Sequence, residues 1–117
     1  MTKVVINTCY GGFGLSDEAV ELYAKIKGIN LGPRIPSTIG DSHWYIDGIH
    51  EDDNYFSSYS IEGRTDPALI QVVESLGERA NGWVAELRVV EIPDDVEWYI
   101  EEYDGTEWVA EKHRTWR

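Results

Sequence analysis
The chain has 117 residues, 42% of them apolar, a formal net charge of −12, five Trp, seven Tyr and a single Cys. That length holds one domain, residues 1–117, with a real core. One cysteine excludes an internal disulfide and a Cys-based zinc cluster. The charge argues against binding nucleic acid polymers or anionic membranes, and no apolar run approaches membrane-spanning length.

In chain order, Val4-Val5-Ile6 reads as a short strand buried on both faces. A turn containing Gly11, Gly12 and Gly14 follows, and Ser16 is an N-cap with Asp17 and Glu18 in the first helical turn. Free N–H groups at such an exit suit an anion. Neither a GxGxxG nor a GKS/T pattern is present, so a tight turn that lets Phe13 pack is the favoured reading. The first helix is expected over residues 16–27, with Leu15, Ala19, Leu22, Tyr23 and Ile26 on its apolar face and Gly28 just past its end. Residues 29–40 read as a loop carrying Arg34, His43–Ile46 as a short strand, and Tyr55–Ile61 as another.

Asp66-Pro67 starts a second helix, with Leu69, Val72, Val73 and Leu76 as its stripe and Gly77 as its stop. Trp83–Ile92 and Val96–Tyr103 read as strands. Asp104-Gly105 is a two-residue hairpin turn whose register sets Ile100 opposite Val109, Glu101 opposite Trp108 and Glu97 opposite Lys112. The expected fold class is α+β: an antiparallel β-sheet with two helices packed on one side of it. So many aromatic residues in so short a chain also predict a homo-oligomer with an aromatic interface.

No catalytic or metal-ligating set stands out. Cys9 at the end of an apolar strand reads as core, and nothing in the spacing selects His43, His50 or His113 as its base. The glutamates of the final hairpin read as a solvated face. No cofactor is implied. The ten Lys and Arg say more. Arg64 stands just before the second helix, and Lys112, His113 and Arg114 close the chain beside Trp116. Guanidinium forks grip phosphate and aromatic faces stack on purines, so a diphosphate nucleotide would use both. The expected ligand-binding set is Arg64, Asn81, His113, Arg114, Trp116, Tyr10 and Phe13.

Residues 4–16, the run Arg64-Thr65-Asp66-Pro67 and the ending from Val90 through Trp98 to Trp116 together resemble a group of small phage-encoded proteins, the Thoeris anti-defence sponges of the first type. The resemblance spans nearly the whole chain. It implies an oligomeric antiparallel-sheet protein in the cytoplasm of an infected bacterium. Such a protein binds a cyclic ADP-ribose isomer without cleaving it, and some members also hold cyclic oligonucleotides at a separate site. Two other classes fit the composition: an acidic mimic of DNA that blocks a basic host protein, and a small hydrolase using Cys9 or paired glutamates.

Overall fold
The computed structural model describes residues 1–37 and 42–112. The fold is α+β, with strand β1 (Thr2–Asn7), helix α1 (Asp17–Lys27), strands β2 (Trp44–Tyr45) and β3 (Tyr55–Phe56), helix α2 (Pro67–Leu76), and strands β4 (Leu87–Ile92), β5 (Trp98–Tyr103) and β6 (Thr106–Glu111). No helix among the described residues is long and apolar enough to cross a membrane.

Both helices begin and end where their local chemistry says. The Ser16 hydroxyl accepts from Ala19 N–H, and Gly28 takes the left-handed conformation (φ 73°) after α1. Asp66 caps α2 by accepting from Ala68 N–H, with Pro67 in the first turn. The final hairpin also keeps its expected register. Ile100 faces Val109 and Glu101 faces Trp108, and the backbone N–H of Lys112 donates to the Glu97 carbonyl. Asp104 and Gly105 both have positive φ (52° and 92°), the geometry a two-residue turn needs to match strand twist.

The expected single sheet is corrected to three two-stranded antiparallel ladders, β1–β4, β2–β3 and β5–β6. The strands expected over His43–Ile46 and Val96–Tyr103 are each two residues shorter than the pattern suggests, and those over Tyr55–Ile61 and Trp83–Ile92 lose four residues or more. Ser57 Oγ accepts from Tyr59 N–H, and Ser60 Oγ accepts from Ser57 N–H, so serine–backbone bonds fold the chain into a turn after Phe56. Likewise Gly82 N–H bonds to Gly14 O and Ala85 N–H to Gly82 O, which holds Trp83 in a turn and delays β4 to Leu87.

These ladders stack in layers. Val5 joins the core made with α1 and α2, around Leu15, Val20, Tyr23, Leu69 and Val72. Trp44 and Phe56 bring the β2–β3 ladder into the same core. Val4 and Ile6 point to the opposite face of β1 by strand alternation, yet are only 0% and 4% exposed. On that side β6 packs against β1. The order is therefore helices, then β1–β4, then the β5–β6 hairpin, in a body 54 × 30 × 28 Å across.

One polar contact crosses the core. The Tyr23 hydroxyl donates to Asp66 at 2.6 Å, with Lys27 Nζ 3.5 Å from the same oxygen. Burial and the adjacent carboxylate hold the Tyr23 phenol protonated above its usual range. Burial alone would raise the Asp66 pKa. The hydrogen bonds from Tyr23 and Ala68 and the charge on Lys27 outweigh burial and set the carboxyl below its ordinary value. A depressed folded pKa gives stability that is present above the unfolded carboxylate value near about 3.9 and lost as pH falls through the folded one. Asp66→Asn should therefore cost about 1.5–3 kcal/mol at pH 6, and that difference from wild type should shrink steadily towards pH 2. Urea unfolding of both chains across this range checks it; a pH-independent gap would show that the charge on Asp66 contributes nothing.

Candidate functional site
The glycine turn, the hairpin tip and the loop before α2 meet around Asn7. This side chain is fully buried and uses all four of its hydrogen-bonding positions. Its Nδ2 donates to the carbonyls of Cys9 and Gly105, both at 2.8 Å, while Oδ1 accepts from Glu86 N–H (2.8 Å) and Cys9 N–H (3.3 Å). Its backbone N–H donates to Glu107 Oε1 at 2.8 Å. Glu107 is in turn gripped by both arms of Arg64, Nη1 to Oε1 at 2.6 Å and Nη2 to Oε2 at 2.9 Å. The guanidinium also donates to Val5 O and lies 3.8 Å above the Phe13 ring.

Arg64, expected at a phosphate, thus has its planar fork committed to a carboxylate that is only 9% exposed. The glycine turn serves packing as well. A Cβ at Gly105 would lie 2.5 Å from Gly12 N and 2.6 Å from Gly11 N, so these backbones approach closely and the turn's amides face the hairpin tip. The shallow depression beside them, at Tyr10, is rimmed by Glu102 and Asp104, an unfavourable place for phosphate. Asn81 is used structurally: its Oδ1 accepts from Leu87 N–H at the start of β4. His113, Arg114 and Trp116 lie outside the described residues. Of the expected set, the structure brings Arg64 and Phe13 together and leaves Tyr10 and Asn81 apart from them. Cys9 Sγ donates to the Tyr10 carbonyl at 3.7 Å, and no described histidine bonds to it.

What the structure assembles instead is an aromatic cleft of about 310 Å³ on the other side of the glycine turn. Residues 11–14, with Phe13, form one wall, and Tyr55, Ser57, Tyr59, Trp83, Val84 and Ala85 form the rest. Trp83 is 84% exposed and Tyr59 73%, so large rings stand unburied around the opening. Gly11 admits this arrangement, since a Cβ there would lie 2.7 Å from Val84 Cβ. The aromatic surface runs on past the cleft: His43 stacks on Tyr55 at 5.2 Å between centroids, and Tyr45 stacks on His50 at 4.4 Å. Sequence reasoning missed Tyr59 and Trp83 because it placed them in strands, and it missed Tyr55 although that residue does lie on β3. The serine cluster after Phe56 and the Asn81-Gly82 pair were the available signals that both strands break there.

Comparison with protein-family models, curated proteins and solved structures finds no match for this chain.

The Arg64–Glu107 pair is the contact that seats the hairpin. Arg64→Ala leaves a nearly buried carboxylate unpaired and should lower unfolding free energy by about 3–5 kcal/mol. Arg64→Lys should recover part of this, because an ammonium makes no planar double contact. A double-mutant cycle with Glu107→Ala should show a coupling of about 1–3 kcal/mol in urea unfolding. Additive losses would mean the two side chains stabilise the fold independently.

Proposed function
We propose that the protein binds a nucleotide-class ligand by stacking its base in the Phe13–Tyr59–Trp83 cleft, and withholds the ligand without changing it. The aromatic cleft carries this proposal. A π-face stacks on any base and is worth about 1–3 kcal/mol per base. Large exposed rings around a concave opening have no role in the protein's own core. The resemblance to phage anti-defence sponges narrows the ligand to a cyclic ADP-ribose isomer, with cyclic oligonucleotides as a second candidate, in the cytoplasm of an infected bacterium.

The cleft is small for such a ligand, at the lower end of the volumes that enclose drug-sized molecules. Closure by a second subunit over Tyr59 and Trp83 would complete it, which is the reason to propose a homo-oligomer. Phosphate recognition then falls to cations other than Arg64. Arg114, with His113 and Trp116 beside it in the sequence, has the chemistry for that contact. Sequestration itself asks only for affinity, each tenfold being about 1.4 kcal/mol.

Titration calorimetry with cyclic ADP-ribose isomers, followed by heating and mass spectrometry of what is released, tests this. Intact ligand should be recovered. Trp83→Ala and Tyr59→Ala should each weaken binding about ten- to a hundredfold with melting temperature unchanged, since both rings are largely in solvent. A cleaved product would reject sequestration, and wild-type affinity in both variants would remove the cleft as the site.

A further inference from the structure
The β5–β6 hairpin has two faces of opposite character. Register and alternation put Trp98, Ile100, Glu107 and Val109 towards the body, where Glu107 meets Arg64. Tyr99, Glu101, Tyr103 and Trp108 share the outward face. We propose that this outward face is a docking surface for a basic segment of a partner protein.

Glu101 is the centre of the face. The Tyr99 hydroxyl donates to its Oε1 at 2.8 Å, and Trp108 Nε1 donates to its Oε2 at 2.9 Å. Both donors are neutral, so they fix the carboxylate between two rings without cancelling its charge. A carboxylate has about four lone-pair positions, which leaves room for a guanidinium or ammonium after these two bonds. Rings on either side then supply cation–π attraction to the same incoming charge. Tyr99 is held protonated above its usual range by its bond to Glu101, which keeps the donor in place.

Charge complementarity selects the occupant. Residues 91–111 carry nine acidic side chains and no Lys, Arg or His. Among the described residues only Glu107 and Asp94 of these nine form an ion pair within 4 Å, with Arg64 and the N-terminal amine. Lys3 and Lys112 stand opposite Glu91 and Glu97 in their ladders, away from the outward face. A second copy of the chain laid face to face would bring two such fields together and be repelled. A Lys- or Arg-rich segment is attracted by the long-range field and then meets aromatic rings and a fixed carboxylate at close range. This surface is on the hairpin's outer face, apart from the Phe13–Trp83 cleft, and does not depend on what the cleft binds.

The test is a titration of the full chain with a short oligoarginine peptide, followed by amide chemical shifts in solution NMR. Perturbations should centre on residues 98–111. Glu101→Gln and Tyr103→Ala should each weaken binding about tenfold. Tyr103 makes no side-chain hydrogen bond among the described residues and is 70% exposed, so its loss leaves the hairpin intact. Asp52→Asn removes the same charge as Glu101→Gln from a distant exposed turn and should leave binding nearly unchanged. Binding should also survive Trp83→Ala. Equal weakening by Asp52→Asn and Glu101→Gln, or shifts spread evenly over the acidic surface, would reduce the attraction to net charge and overturn the proposal. Dimerisation that protects Trp108 without any response to the peptide would give the face to a second copy and overturn it too.

Discussion
The paired contact of Arg64 with Glu107, and the buried Asn7 beside it, hold the hairpin layer to the rest of the molecule. A two-stranded hairpin alone in water is marginal. This one contributes no residue to the helix-side core, so its position depends on covering Val4 and Ile6 and on the polar knot at its tip. The knot is fully satisfied: no buried side-chain polar atom among the described residues lacks a partner. In a low-dielectric setting that matters, because a partly satisfied network of this kind costs more than an apolar contact of the same shape. Arg64 adds one further link. Its guanidinium lies 3.8 Å from the centre of the Phe13 ring while its fork holds Glu107, so the same residue ties the glycine turn, β1 and the hairpin together.

Glycine makes this convergence possible in a second way. Backbones pass at Gly12 and Gly105, and again at Gly14 and Gly82, at distances a Cβ would not allow. The turn that looks from the sequence like a cradle for an anion is instead a place where three segments cross. Its consequence for function is indirect. By bringing residues 11–14 against residues 82–85, it opens the aromatic cleft between Phe13 and Trp83.

The protein hides few of its aromatic residues. Trp44, Tyr23 and Phe56 are buried, while Tyr10, Tyr55, Tyr59, Trp83, Tyr99, Tyr103 and Trp108 keep a third or more of their surface in water. They fall on different sides: Tyr55, Tyr59 and Trp83 with the cleft, and Tyr99, Tyr103 and Trp108 on the outer hairpin face. The strong negative charge separates the two surfaces chemically. It is concentrated on the hairpin and suits a cation there, while the cleft is lined by rings, glycines and a serine and suits an uncharged planar group.

Elements specified by neighbours in the chain were legible in the sequence. The Ser16 and Asp66 caps, Pro67, Gly28, Gly77 and the Asp104-Gly105 turn each act within a few residues, so both helices and the hairpin register follow from local chemistry. The α+β class follows from the same signals. Tertiary structure alone decided how these pieces associate. Arg64 and Glu107 are 43 residues apart and Asn7 and Gly105 are 98 apart, and no periodicity records such partners. A free arginine and a paired one look identical in a sequence, since the difference lies in whether a carboxylate waits at the end of the fork. The division of one expected sheet into three ladders has the same origin. Serine and glycine bonds close turns after Phe56 and before Leu87, and strand propensity in Tyr55–Ile61 and Trp83–Ile92 yields to them.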